Sequence, residues 1–308
     1  MTTSDVAETA MPARAMPPQT TPEAPRSLWS DAWAALKTNR AAIAAATVLG
    51  IVVLLVLFGP MLSPYRFDKP DWNAIAVPPS LATGHPFGTD SLGRDLFSRT
   101  MHGGRISLLV GLVSTLVSLV IGIGWGATAG FLGGRVDRLM MRIVDILYAL
   151  PFMFLVILLM VLFGRNIILI FVAIGAINWL DMARIVRGQT LGLKQREFIE
   201  AARVSGVKPA RTILRHIVPN LLGVVVIYVT LTIPQVILVE SFLSFLGLGV
   251  QEPMTSWGVM VSDGALDMET APWMLVFPAL FLAITLFCFN FLGDGLRDAL
   301  DPRDRSGR

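Results

Sequence analysis

ISLLVGLVSTLVSLVIGIGWGATAGF, residues 106–131, carries no charged side chain. As a helix this run would be about 39 Å long, more than the roughly 30 Å hydrocarbon core of a bilayer. It is continuously apolar, whereas a membrane β-strand alternates apolar and polar residues, so a barrel is excluded. Gly122, Gly126 and Gly130 recur at four-residue spacing. Small residues in that rhythm let membrane helices pack closely, so a packing face is expected there.

Five more runs of similar character flank it, near 41–62, 140–163, 166–186, 221–245 and 272–293. Counting all six in chain order, the fourth is interrupted near its end by Asn178 and Asp181, and Pro151 and Pro234 lie inside the third and fifth. Each proline removes a backbone hydrogen bond and is expected to kink its helix. The composition agrees with these runs. Of 308 residues, 54% are hydrophobic and only 15% are charged; soluble domains carry about 25% charged residues. The mean hydropathy is +0.66. The reading is an all-α polytopic membrane protein with six transmembrane helices. The single cysteine, Cys288, excludes an intramolecular disulfide and a thiol metal cage. It lies in an apolar run and reads as a packed thiol.

The pI of about 9.3 could suggest nucleic acid, but the net charge is only +3, and its distribution matches membrane topology better. With the N-terminus inside, 19 Lys and Arg fall in the expected inner segments. Only six (Arg66, Lys69, Arg94, Arg99, Arg105 and Arg165) fall in the outer ones. Positive residues concentrate on the cytoplasmic side, so both termini are expected there. Residues 1–27, rich in Pro, Thr and Ala, read as a disordered cytoplasmic tail and show no signal-peptide pattern. Residues 28–40 read as an interfacial amphipathic helix: Leu28, Trp29, Ala32, Trp33 and Leu36 share a face, and Lys37 and Arg40 follow. Residues 294–308 read as a cytoplasmic tail.

Two loops are too long for simple connectors, 63–105 outside and 187–219 inside; loops of that length are usually functional or disordered, and neither is of low complexity, so function is expected of both. The inside loop reads as helix, turn, helix. Phe198 to Ser205 are good helix formers, Gly206 can end a helix in the left-handed conformation, and Pro209 suits the first turn of the next. Ala201 and Ala202 are small enough to admit another protein's backbone, and Glu200 and Arg203 offer it charge.

This segment resembles the cytoplasmic signature of permease subunits of bacterial ATP-binding-cassette importers: Glu-Ala-Ala, three residues, Gly, nine residues, Ile, one residue, Leu-Pro. Glu200, Ala201, Ala202, Gly206 and Pro219 fall at the right spacing, while His216 and Val218 depart from it. The resemblance implies a type I permease fold. It also implies that 198–208 is the coupling helix, with Glu200, Ala201, Ala202, Arg203, Gly206 and Lys208 meeting the ATPase. The outer loop carries His85-Pro86-Phe87-Gly88-Thr89-Asp90, Leu92-Gly93-Arg94-Asp95 and Gly104-Arg105-Ile106-Ser107-Leu108. With Glu240 to Gln251, Ser256-Trp257-Gly258 and Ser262-Asp263-Gly264, these look like the second-permease branch of the dipeptide/oligopeptide/nickel importer family. That branch often has proline where this chain has Glu252.

By that resemblance the chain is a non-catalytic permease of the bacterial inner membrane. Its implied partners are a homologous second permease, two cytoplasmic ATPase subunits that use ATP and Mg, and an extracytoplasmic substrate-binding protein. The cargo is dipeptides or oligopeptides, with nickel or another small solute as the alternative. No phosphate loop, nucleophile elbow or zinc helix motif occurs, so no cofactor is expected on this chain itself. A self-contained secondary transporter would need charged sites in mid-span, which the sparse charges hardly offer.

Five acidic positions remain. Asp90 and Arg94 are four apart, as are Asp95 and Arg99, so on a helix each pair would face. With Gly93 they read as loop architecture, or as a cap or docking surface for a binding protein. Asp90, Asp95 and His85 match no calcium-loop spacing, so no metal site is expected. Asp145 follows Arg142 by three and could pair with it or with Arg138; with Glu240 it is also a candidate pathway residue. Glu240 reads either as a helix–helix hydrogen bond or as a pathway residue meeting a peptide ammonium group, since ionisable residues in membranes carry that prior. Asp181 reads as interfacial, near Arg184.

Overall fold

The computed structural model describes residues 33–34, 36–164 and 166–300. Among them the regular structure is helical, with only isolated bridges at Ser80–His85 and Thr89–Asp95. The helices are α1 (Arg40–Leu62), α2 (Leu96–Leu132), α3 (Gly134–Tyr148), α4 (Phe152–Phe163), α5 (Ile167–Leu193), α6 (Glu197–Val204), α7 (Pro209–Phe245), α8 (Trp257–Leu266) and α9 (Trp273–Leu300). The 1–27 tail, residues 28–32 of the expected amphipathic helix and residues 301–308 lie outside the described residues. Residues 33, 34 and 36–38 are helical, and the Lys37 ammonium lies 5.3 Å from the centre of the Trp33 ring.

Among the described residues four helices, α1, α2, α7 and α9, are long and apolar enough to cross a membrane. A fifth span is added if α3 and α4 count as one. The expected straight third span, 140–163, is broken: α3 and α4 meet at 80°, with Pro151 capping α4. A proline can open a helix but cannot re-form the bond it removes, so the kink becomes a corner. Pro234, by contrast, sits within α7 without ending it. The expected fourth span corresponds to α5, which carries Asn178 near its middle and Asp181, Arg184 and Arg187 in its second half.

Several boundaries move. α2 starts at Leu96, ten residues before the apolar run, because Asp95 caps it by accepting from Ser98 N–H at 2.8 Å. The outer loop is therefore 63–95. α5 continues to Leu193 and α7 begins at Pro209, so the other long loop shrinks to a short segment around α6. Within α7, residues Ile213–Ile217 form a π turn, and Val218 N–H reaches back five residues to the Ile213 carbonyl. Pro219, which has no N–H to donate, follows at once. α9 extends to Leu300, so the expected 294–308 tail begins as helix.

The glycine rhythm packs α2 on α5. A methyl group at Gly122 would lie 2.5 Å from Met182 Cγ; at Gly126, 2.4 Å from the Ala183 carbonyl oxygen; at Gly130, 2.8 Å from Thr190 Cβ. Real Cβ contacts are never that close, so the two backbones meet there only because these residues are glycine. A core of Val110, Val156, Ile174, Val236 and Leu243 joins α2, α4, α5 and α7. α1 packs along α9 through Ala45, Leu49 and the buried Cys288. Pro60 leaves the Val56 carbonyl without its helical donor, and Arg105 Nε supplies one at 2.9 Å, tying α1 to α2. Large apolar side chains such as Leu54, Phe154, Phe163 and Phe287 point outward, a surface suited to hydrocarbon or to another membrane helix.

Candidate functional site

At one end of the bundle, α6 is a two-sided element. Ile199 is fully buried in a cluster with Phe131, Val186, Ile217 and Leu221, which roots α6 among α2, α5 and α7. Full burial of an isoleucine contributes about 1.5–3 kcal/mol. Ala202 is buried beside it, while Glu200, Ala201 and Val204 are exposed, Val204 at 90%. The two alanines therefore part company: Ala201 faces outward as expected, and Ala202 faces its own bundle. Arg203 is exposed, with its guanidinium 5.0 Å from the Phe131 ring centre.

Gly206 has φ +73°, the left-handed conformation expected for it. Its N–H bonds the Arg203 carbonyl at 3.0 Å, and Val207 N–H bonds the Ala202 carbonyl at 3.1 Å. Those two bonds form a Schellman end, which satisfies carbonyls the helix would otherwise leave open. Lys208, exposed, then precedes Pro209 at the start of α7.

The opposite end is closed by a buried polar cluster. Asp90, Arg94, Asp95 and Arg99 are each less than 10% exposed. Asp90 lies in a turn rather than on a helix. It accepts from Arg94 Nε at 2.7 Å and from the Leu92 and Arg94 backbone N–H groups. The expected Asp95–Arg99 pair does not form, because Asp95 serves as the α2 cap and contacts His85 Nδ1 at 2.9 Å. Arg99 turns instead toward Asp90 (3.4 Å) and Asp263 (3.9 Å), and Arg94 reaches Glu252 at 2.8 Å. The hydrogen bond from Arg94 holds the Glu252 carboxyl below its ordinary range, whereas burial raises that of Asp263. Gly93, at φ +75°, is forced: a methyl group there would lie 1.8 Å from the Asp71 carbonyl oxygen. Glu252 and Asp263, far along the chain, have no local sequence pattern linking them to Asp90.

Glu240 is fully buried on α7, and its Oε1 accepts from the Ser244 and Ser256 hydroxyls at 2.7 Å each. Ser256 also caps α8 by accepting from Val259 N–H. Glu240 thus makes a hydrogen bond from α7 to the start of α8. Trp257, fully buried, donates its indole N–H to the Thr100 carbonyl, and Gly258 lies against Ser241. Asp145 pairs with Arg184 at 2.8 Å rather than with Arg142 or Arg138, because the corner after Tyr148 turns α3 across α5. Arg184 also lies over the Tyr148 ring, whose hydroxyl donates to Asp181.

The described residues thus form a bundle of long apolar helices with a short exposed helix at one end and a buried polar cluster at the other. The family model described as "binding-protein-dependent transport system inner membrane component" matches residues 122–306, and one described as "N-terminal TM domain of oligopeptide transport permease C" matches 27–79. The chain belongs to the binding-protein-dependent transport system inner membrane component family. It is 60% identical to the oligopeptide transport system permease protein OppC of Escherichia coli K12 over 280 residues, 91% of this chain and 93% of that protein. It is 46% identical to the dipeptide transport system permease protein DppC of Bacillus subtilis, over 91% of this chain and 87% of that one. Among solved structures, the MetNI methionine ABC transporter in inward-facing conformations aligns with TM-score 0.53 at 20% identity, covering 65% of this chain and 94% of that one. At that identity the likeness concerns the fold.

Proposed function

We propose that the chain is a permease subunit of an ATP-binding-cassette importer of oligopeptides in the bacterial cytoplasmic membrane. Six spans, α1, α2, the bent α3–α4 pair, α5, α7 and α9, would cross it with both termini inside, an orientation supported by the 19-to-6 split of basic residues. The second permease would complete the pathway. The two ATPase subunits would use ATP and Mg, and an outer binding protein would deliver cargo. The peptide cargo is carried over from the relatives' names, with dipeptides next in line.

The observation that carries the mechanism is the two-sidedness of α6. Its outer face, Glu200, Ala201 and Val204, is free to dock, and its inner face, Ile199 and Ala202, is fixed to the roots of three long helices. A partner that displaces α6 must then move α2, α5 and α7, and nucleotide state can bias a two-state bundle through such a contact.

The test is co-purification of tagged wild type beside Glu200→Arg in mild detergent. ATPase and second permease should accompany the wild type, and the variant should lose the ATPase while keeping the permease. Equal ATPase recovery with both would refute docking through α6. Moving a reporter tag from the N-terminus to residue 75 should switch its compartment; the same accessibility at both positions would refute the topology.

A further inference from the structure

At the end of the bundle remote from α6, a cavity of about 240 Å³ opens among Asp90, Arg94, Arg99, Glu252, Asp263 and Asp267, over apolar side chains that include Leu96 and Met260. Its charges are unevenly satisfied. Arg99 is 97% buried, yet its nearest carboxylate, Asp90 at 3.4 Å, is already held by Arg94 at 2.7 Å. Asp263 stands 3.9 Å off, and Arg99 Nη1 has no hydrogen-bond partner among the described residues. A guanidinium has five donors, and buried donors are almost always bonded. This cation is built to receive one more acceptor. Arg94, by contrast, is spoken for by Asp90 and Glu252.

On the same cavity Asp263 is half exposed and Asp267 accepts from the Ser91 hydroxyl. Neither carboxylate has a cation within 3.5 Å among the described residues. A simple anion would meet four carboxylates there, and a simple cation would meet two guanidiniums. A molecule carrying both charges matches the arrangement.

We propose that this cavity receives the charged ends of a free peptide, Arg99 taking the terminal carboxylate and Asp263 with Asp267 the terminal ammonium group. The proposal rests on the peptide-import reading above and gives that import a contact on the permease itself.

The test uses the assembled importer in nanodiscs, without the binding protein. Binding of radiolabelled trialanine is compared with trialanine amide, which lacks the carboxylate, and N-acetyl trialanine, which lacks the ammonium group. Wild type should prefer trialanine over each by about tenfold, the worth of one charged hydrogen bond. Arg99→Gln should abolish the preference over the amide alone. Because Arg99 is buried, Asp263→Asn on the exposed side serves as an independent arm, and it should abolish the preference over the N-acetyl form alone.

A variant that weakens all three ligands equally would make its residue architectural and overturn the site. So would loss of binding-protein docking in Arg99→Gln with peptide preferences intact. If the wild type shows no preference while the full system still imports trialanine, the site falls and peptide import stands. If neither binding nor import of trialanine occurs, the cargo reading fails and takes the site with it.

Discussion

Removing one hydroxyl, in Ser256→Ala, should detach α8 from α7. Ser256 Oγ performs two tasks in a fully buried position: it accepts from Val259 N–H at 3.2 Å to cap α8, and it donates to Glu240 Oε1 at 2.7 Å. A lost cap costs about 1 kcal/mol and a lost buried hydrogen bond to a carboxyl about 1.5–3, so the variant should be destabilised by about 2–4 kcal/mol. Ser244→Ala, which removes the other 2.7 Å donor but no cap, should cost less. The readout is tryptophan emission, to which fully buried Trp257 contributes with six others: it should shift to the red during SDS-driven unfolding in mixed micelles, at lower SDS in the variant than in the wild type. A cycle with Glu240→Gln isolates the contact from the cap, since only the Glu240 bond is shared, and the coupling should reach about 1 kcal/mol. A Ser256→Ala loss below about 0.5 kcal/mol, or no coupling, would refute the view that Glu240 is an anchor between α7 and α8.

Gly206→Val should destabilise the α6–α7 turn by about 1–2 kcal/mol through backbone conformation alone, because φ is +73° and no atom lies within 4 Å of the added Cβ. Faster hydrogen exchange across residues 197–207, with the rest of the chain unchanged, would be the sign; unchanged exchange would refute the turn geometry. The Arg94–Glu252 pair predicts an acid dependence. Arg94's hydrogen bond lowers the Glu252 carboxyl below its ordinary 4.5, so its stabilisation is complete above that value and is lost as pH falls through the lowered folded value. Glu252 is 67% exposed on its side chain, so the effect should stay below about 1 kcal/mol. Protease nicking of the 246–256 segment should rise below about pH 4.5 in wild type, and Glu252→Gln should be nicked at one constant rate across that range.

What the sequence disclosed was whatever depends on neighbours along the chain. The glycines at 122, 126 and 130 announced a packing face because one helix carries all three, and Gly206 and Pro209 announced a turn because a helix end is a local event. The α6 boundaries came within a residue or a few for the same reason. In the outer cluster the expected Asp90–Arg94 pair forms, but the Asp95–Arg99 pair does not, because the other partners are remote. Asp95 is taken by the α2 cap and by His85, leaving Arg99 to Asp90 and Asp263, and 158 residues separate Arg94 from Glu252. Four-residue spacing implied facing pairs only on the premise of a helix, and the chain there is a turn held by Gly93. Asp145 found Arg184 through the 80° corner, whose angle no proline announces.

The two ends of the bundle differ in how firmly they are joined, and that difference bears on how motion would travel. At the Asp90 end, the outer loop is bound to α2 through Asp95, to α9 through the bond from Trp273 to the Thr89 carbonyl, and to the 246–256 segment through Arg94. The Glu240 anchor adds α7 and α8 to the same block. At the α6 end, one eight-residue helix on a glycine turn is held by Ile199 and Ala202 alone among its buried residues. Tightly packed, hydrogen-bonded regions resist local opening, while short exposed elements yield. If α6 docks a partner as proposed, a push on it would reach α2, α5 and α7 through Ile199 and Ala202, and the more firmly bonded Asp90 end would move less. The α3–α4 corner lies between them, where a change in angle would alter the outline of the bundle without breaking a long helix.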